Sequence, residues 1–302
     1  MDEFRVFLCP AKLNLFLEVN GKREDSYHNL TSISVQIDFA DRMQLRLTED
    51  DVADDFIFCD VREVPIDGKN SIRRAIDAFR RVYPFPRHLV VRLEKNIPIG
   101  SGLGGGSSDA AYLLKNLNEL LARPLGDGAL ISLAATVGSD CPLFLSSSPC
   151  IVRGRGERVE RVNVDQLEGL RRTKFLIFKP SFGTETAQVY EVLSKKAVWT
   201  LKSQGISETS VFSLLRDLKT DCSSSHFFNA FQEIVAEKFI ELARVFADIA
   251  EYFGVNAQLT GTGSAGFIPL ADDYDTTPLK SYLAEVIGEK AFVIEAKPLL
   301  FP

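Results

Sequence analysis

The chain has 302 residues, 45% of them apolar and 25% charged, an ordinary globular mix with room for about two domains of roughly 150 residues each. Its 41 acidic residues outnumber 35 basic ones, and the net charge of −6 excludes a general nucleic-acid or membrane-surface binder, since those partners need a basic field. No apolar run reaches the roughly 18 residues of a transmembrane helix. The five cysteines (Cys9, Cys59, Cys141, Cys150, Cys222) form no CxxC pair, which argues against a zinc or redox motif.

The N-terminus, MDEFRVFLCPAKLNL, is acidic and turns strand-like at once. It has neither the basic and apolar regions of a signal peptide nor the bias of a transit peptide, so a cytoplasmic location is expected. Apolar alternation over residues 4–19 predicts one or two strands interrupted near Pro10. Residues 30–47 predict two more with a break around Asp41. Ile72, Ile76 and Phe79 share a helical face, and residues 88–96 alternate as a strand.

A glycine-rich stretch follows, IPIGSGLGGGSSDAA over residues 97–111. Behind it Ala110, Leu113, Leu114, Leu117, Leu120 and Leu121 form one stripe, the mark of an amphipathic helix. A second helix is predicted up to Gly138, then two strands around the Gly-Arg-Gly turn of residues 154–156, and a buried strand ending at Pro180. Residues 223–254 read as helix over most of their length. A strand–turn–strand pattern over 255–270, a helix near 276–287 and a final strand close the chain. The class is α+β, with a boundary near residue 160.

Glycine lacks a Cβ, so Gly104, Gly105 and Gly106 can bring several backbone N–H groups into one concave nest. The helix behind adds unpaired N–H groups and the positive end of its dipole, which together suit a polyphosphate. Ser107 and Ser108 are placed to cap that helix or to reach a phosphate oxygen or its metal ion, and Asp109 falls in the expected first turn. The loop is not a Walker A sequence, because no Gly-Lys-Ser/Thr follows. Nor does it sit in the βαβ repeat that a dinucleotide fingerprint needs.

KNIPIGSGLGGGSSDAA resembles the ATP-binding motif of the GHMP kinases, and its triple-glycine form followed by Asp is similar to the branch acting on 4-diphosphocytidyl-2-C-methyl-D-erythritol. Three further segments resemble motifs of that branch in family order: PAKLNLFLEV with SYHNL, VGSDCPLFL, and LTGTGSAGF. The resemblance runs from residue 10 to about residue 267. It implies two domains, residues 1–160 with a ribosomal protein S5 domain 2-like fold that binds ATP, and residues 161–302 with a ferredoxin-like fold.

The resemblance further implies that Lys12 and Asp140 are the catalytic pair. Asp140 would accept the proton of a substrate hydroxyl, while Lys12 would keep that carboxylate ionised and offset charge on the transferring phosphoryl group. ATP-binding positions fall on Asn70, Lys95, Pro98, Gly100, Gly102, Leu103, Gly104, Gly105, Gly106, Ser107, Ser108 and Asp109. Substrate-binding positions fall on Asn14, Tyr27, His28, Thr186 and Tyr190, with aromatic stacking and imidazole hydrogen bonds suited to a cytosine ring. Mg-ATP is the implied cofactor and a small cytidyl compound the partner, with no nucleic acid and no membrane, in a monomer or weak homodimer. The Mg²⁺ ligands stay open.

The chain departs from the pattern at Ser26, where Gly is usual, at Ser139 and Cys141, and at NAFQ over residues 229–232, which replaces Asn-Asp-[Phe/Leu]-Glu. His88 and His226 match no family position. Two other readings stand beside this one: another GHMP kinase acting on homoserine, mevalonate or a sugar, and a non-catalytic nucleotide-binding protein on the same scaffold.

Overall fold

Alternating apolar residues carry the start of the chain into two long strands, β1 (Arg5–Lys22) and β2 (His28–Thr48), paired antiparallel. Neither expected interruption occurs in this computed structural model. Pro10 lies where the register slips, from Pro10 opposite Ala40 to Lys12 opposite Gln36, and a missing N–H is tolerated at such an irregularity. Asp41 stays inside β2 because its buried carboxylate has partners: Oδ1 accepts the backbone N–H groups of Asn96 (2.6 Å) and Ile97 (2.7 Å). The structure describes residues 3–25, 27–48, 54–65, 67–68, 70–146, 148–184, 186–195, 206–220, 227–288 and 291–301; Ser26, Cys222 and His226 lie outside them.

Next come β3 (Phe56–Cys59), helix α1 (Ser71–Val82), β4 (His88–Glu94), helices α2 (Gly105–Leu120), α3 (Asp127–Val137) and α4 (Cys141–Phe144), β5 (Cys150–Gly154) and β6 (Arg158–Arg161). The later strands are β7 (Thr173–Lys179), β8 (Phe228–Asn229), β9 (Gln258–Leu259), β10 (Gly266–Ala271), β11 (Phe292–Ala296) and β12 (Pro298–Leu299). One sheet runs β3-β4-β2-β1-β8, with β5 and β12 also on β2 and β6 on β5; the other runs β11-β7-β10-β9. The second sheet is thus built from residues 173–296, while β8 and β12 return to the first.

β1 is buried without a break from Cys9 to Val19, because side chains on both of its faces meet apolar layers. Cys9 joins the core formed with α1, α2 and α3, where Ile72, Ile76, Phe79, Leu113 and Leu117 pack, while Leu13 and Leu15 join Phe175, Ile177 and Phe267 of the second sheet. A side chain such as Phe79 gains about 1.5–3 kcal/mol from that burial. The stretch expected to be mostly helical is divided. Phe228 and Asn229 extend along β1, and two helices, Gln232–Lys238 and Ile240–Phe253, part at Phe239, whose ring stacks flat on Phe182 at 4.2 Å. Gly138 closes α3 in extended conformation (φ −168°), so its smallness matters for proximity: a Cβ would lie 3.1 Å from Cys141 Sγ. Among the described residues no helix is long and apolar enough to cross a membrane.

A buried charge cluster ties the first sheet to the glycine stretch. Lys95 Nζ donates to Asp41 Oδ2 and, at 2.9 Å, to Asp109 Oδ2. One ammonium faces two carboxylates, and burial pushes Asp109 above the usual carboxylate range despite Lys95. Asp41→Ala strips Lys95 and two backbone amides of a buried acceptor and is expected to cost about 3–5 kcal/mol of stability. Asp109→Asn leaves Lys95 an acidic partner and removes the surplus charge, at a cost below about 1 kcal/mol. Denaturant midpoints of both variants beside the parent check this; equal losses would refute the unequal roles.

Candidate active site

The site forms around a buried lysine. Lys12 is 2% exposed, and its Nζ donates to Asn14 Oδ1 (2.5 Å) and to the carbonyl of Gly102 (2.6 Å). Its backbone N–H bonds the Leu103 carbonyl at 3.0 Å, so strand and loop are joined twice. Burial lowers the Lys12 pKa below that of an ordinary lysine, and the Asp140 charge opposes the fall. The two residues line one cleft, without an ion pair between them. Asp140 precedes α4 in the cap position, yet its side chain makes no capping bond, which leaves the carboxylate to the cleft.

Asn14 is saturated by neighbours. Its Oδ1 also accepts from the Gly261 N–H at 2.9 Å, and its Nδ2 donates to Ser32 Oγ (2.9 Å) and Ser34 Oγ (3.1 Å). Its backbone N–H bonds Thr260 Oγ1 at 3.1 Å. The residue thus links β1, β2 and the turn between β9 and β10. Asn229 holds that turn from below, donating to the carbonyls of Leu259 (2.8 Å) and Gly261 (2.9 Å). Gln232, where the motif that residues 229–232 resemble implies Glu, accepts the Leu259 N–H at 2.9 Å, a duty that an amide oxygen performs as well as a carboxylate.

The glycine stretch wraps this lysine. Gly100, Gly102 and Gly104 have φ of 63°, 80° and 77°. At Gly102 a Cβ would lie 2.2 Å from the Thr260 carbonyl oxygen, and at Gly104 it would press on Phe144 and the Lys12 stem at 3.0–3.2 Å. Gly104 caps α2 with no side-chain bond, so Ser107 and Ser108 lie inside the helix and do not cap it. Ser107 faces the cleft, whereas Ser108 is wholly buried with no hydrogen-bond partner for its Oγ. Asp109 lies beyond the first turn and turns back to Lys95.

The cleft has a volume of about 490 Å³ and is lined by Lys12, Asn14, Asn70, Lys95, Pro98, Gly100, Gly102, Gly104, Gly105, Gly106, Ser107, Asp109, Asp140 and Tyr190 among others. Leu103 is buried in the core behind it. The side chain of Asn70 caps α1, accepting the Ile72 N–H at 2.7 Å and donating to the Pro65 carbonyl. Near the far end of the cleft, Tyr190 packs between His28 (5.1 Å between centroids) and Phe231 (4.8 Å). Burial lowers the His28 pKa, with help from Lys22. Tyr27 is 52% exposed, outside the cleft lining, and the Arg155 guanidinium covers its ring at 4.3 Å. Thr186 opens the helix Thr186–Lys195; its side chain lies outside the described part of the structure.

Sequence reasoning missed Ser32 and Ser34, Arg74, Arg155, Asn229, and the contact of Thr260 with Gly102. A signal existed for the serines, which alternate with Ile33 and Val35 on β2 and are 1% exposed. Gly156, next to Arg155, takes φ 125°, with a virtual Cβ 2.3 Å from the Ser139 carbonyl oxygen, so the turn bearing Arg155 abuts the residue before Asp140.

Residues 70–148 match the family model for the GHMP kinases N terminal domain. The chain is 35% identical over 261 residues to the 4-diphosphocytidyl-2-C-methyl-D-erythritol kinase of Thermotoga petrophila, covering 85% of this chain and 89% of that one. A crystal structure of 4-(cytidine 5'-diphospho)-2C-methyl-D-erythritol kinase superposes with a TM-score of 0.72 at 26% identity, covering 97% of this chain and 99% of the other. The homoserine kinase of Cytophaga hutchinsonii, at 16% identity, a TM-score of 0.71 and coverage of 99% and 95%, shares the fold alone.

The glycines differ in what they tolerate. Gly102→Ala combines a left-handed φ with a backbone collision and is expected to cost about 2–4 kcal/mol. At Gly106, in α2, a Cβ would meet only Ser71 Oγ, at 3.4 Å. Gly106→Ala is therefore expected to be neutral or to stabilise by up to about 1 kcal/mol. Thermal unfolding distinguishes them; a stable Gly102→Ala protein would refute the packing account.

Proposed function

The chain belongs to the 4-diphosphocytidyl-2-C-methyl-D-erythritol kinase family, and from that premise we propose that it transfers the γ-phosphoryl group of ATP to the 2-hydroxyl of 4-diphosphocytidyl-2-C-methyl-D-erythritol, in the non-mevalonate route to isoprenoid precursors. The products are the 2-phosphate and ADP. The observation that carries the reading is the convergence of Lys12, Asp140 and the glycine cradle on one cleft. The same reading puts the reaction in the cytoplasm, where ATP and a charged nucleotide polyol both reside.

Phosphoryl transfer asks for alignment and charge stabilisation more than covalent work. The backbone N–H groups of the glycine stretch and the N-terminus of α2 take the phosphates. Asp140 accepts the proton of the attacking hydroxyl as the new O–P bond forms and the bond to ADP breaks. Lys12 is held by two neutral oxygens, so its whole charge acts on Asp140 and on the phosphoryl group. Lys95 differs, because its charge is cancelled by Asp41 and Asp109; with Asn70 and Pro98 it shapes the nucleotide end of the cleft. Asn14 acts as a positioning residue for Lys12.

The cytidine end falls to Tyr27, His28, Thr186 and Tyr190, with Arg155 fixing the Tyr27 ring from one face. Mg²⁺, supplied as Mg-ATP, would offset charge on the phosphates and would need few protein donors. Of the hard donors that line the cleft, the Ser107 hydroxyl beside the start of α2 would fit that modest demand.

Asp140→Asn should lower kcat by about 10²–10⁴-fold while leaving nucleotide affinity within about twofold of the parent. Turnover at the parental rate would remove Asp140 from the mechanism. Purified protein should phosphorylate the cytidyl alcohol in preference to homoserine and mevalonate; use of only the latter two would end the assignment. The pH profile tests Lys12. Its folded pKa lies below the ordinary 10.5, so the ammonium, and with it kcat/KM, is lost at a lower pH than a free lysine would give. Asn14→Ala removes an acceptor that favours the charged form, so the alkaline limb moves to lower pH still. An unmoved limb would mean that Asn14 does not tune Lys12.

A further inference from the structure

Among the described residues three basic side chains line the cleft: Lys12, Arg74 and Lys95. A bound triphosphate brings about four negative charges into this space, which the partial charges of amides and a helix end only partly offset. Lys95 is engaged by two carboxylates, and Lys12 by Asn14 and Gly102. Arg74 is exposed, and among the described residues no carboxylate makes an ion pair with it.

Its neighbours on α1 show the contrast. Arg73 pairs with Asp54 (3.1 Å) and Asp55 (3.6 Å), and Arg80 with Asp55 (2.6 Å). Those two hold the helix to the strand edge, while Arg74 turns to the cleft. The start of α1 also abuts the glycine stretch, with Ser71 Oγ 3.4 Å from where a Gly106 Cβ would stand. Asp140 and Ser107 line the same cleft as Arg74. Arg74 thus shares one cleft with the glycine cradle and with the carboxylate proposed to receive the proton.

We infer that Arg74 is a phosphate-binding residue of the nucleotide site, its guanidinium meeting the β- and γ-phosphates of ATP as they lie on the glycine stretch. The inference rests on the ATP site proposed above. A planar fork of donors matches phosphate oxygens two at a time, and its charge stabilises the electrons that pass to the β-phosphate oxygen as the P–O bond to ADP breaks.

The test compares Arg74→Gln and Arg74→Lys with the parent, as full chains, in calorimetric titrations with Mg²⁺ and the β,γ-imido analogue of ATP, and separately with AMP. Arg74→Gln should bind the analogue at least about 10-fold more weakly and AMP within about twofold of the parent, with Arg74→Lys in between. Because Arg74 is exposed, Tm should not move. Parental affinity for the analogue in Arg74→Gln, or equal losses for analogue and AMP, would overturn the inference. A parent that binds the analogue yet leaves the cytidyl alcohol unphosphorylated would refute the proposed substrate while the Arg74 comparison still reads out.

Discussion

An ammonium group buried with Lys12 is the constraint around which the site is arranged. Removing such a charge from water is costly unless hydrogen-bond acceptors replace the lost solvation. The protein solves this problem in two ways a short distance apart. Lys95 receives carboxylates, which cancel its charge and make it a structural tie. Lys12 receives an amide oxygen and a backbone carbonyl, which satisfy its protons without spending its charge. The choice of acceptor separates a cation that holds the scaffold from one able to act on a ligand.

The acceptors of Lys12 come from distant parts of the chain and are themselves held. Asn14 Oδ1 is aimed by two serines of β2 and by the Gly261 N–H; the Gly102 carbonyl is fixed because the Thr260 carbonyl leaves no room for a side chain. Glycine in this loop therefore has a second reason beyond exposing N–H groups. At Gly102 and Gly104 the backbone must come within touching distance of the Thr260 turn and of the lysine stem.

Local features were legible from the residues alone. The helix behind the glycine stretch, the strand alternation and the mixed class all follow from short-range periodicity, and the structure contains them. The misjudged details are places where distant partners override local preference. Pro10 and Asp41 look like breaks until a register slip and two backbone donors accommodate them. Ser107 and Ser108 look like caps, but the chain enters the helix through Gly104 in a left-handed conformation. Asp109 suits a helix dipole on paper, yet a lysine fourteen residues away claims it. Only family likeness marks Lys12 and Asp140, since a lone lysine on a strand or an aspartate before Cys-Pro has no local mark of chemistry. Arg74 and Arg155 carry no signal at all in one dimension; only the packing separates Arg74 from Arg73.

The turn of residues 260–265 has a bearing on how the molecule is made. The Ala265 N–H bonds the Ser101 carbonyl at 3.0 Å, the Ser264 N–H reaches that of Gly100 at 3.4 Å, and Gly261 meets Asn14 across 247 positions of sequence. During synthesis the lysine and its glycine loop leave the ribosome long before this turn exists. The nascent amino-terminal portion, however well its own sheet forms, lacks the piece that seats the ammonium. Assembly of the cleft must therefore wait until residues 260–265 have emerged, long after Lys12 and the glycine stretch, and the seating of the ammonium waits with it.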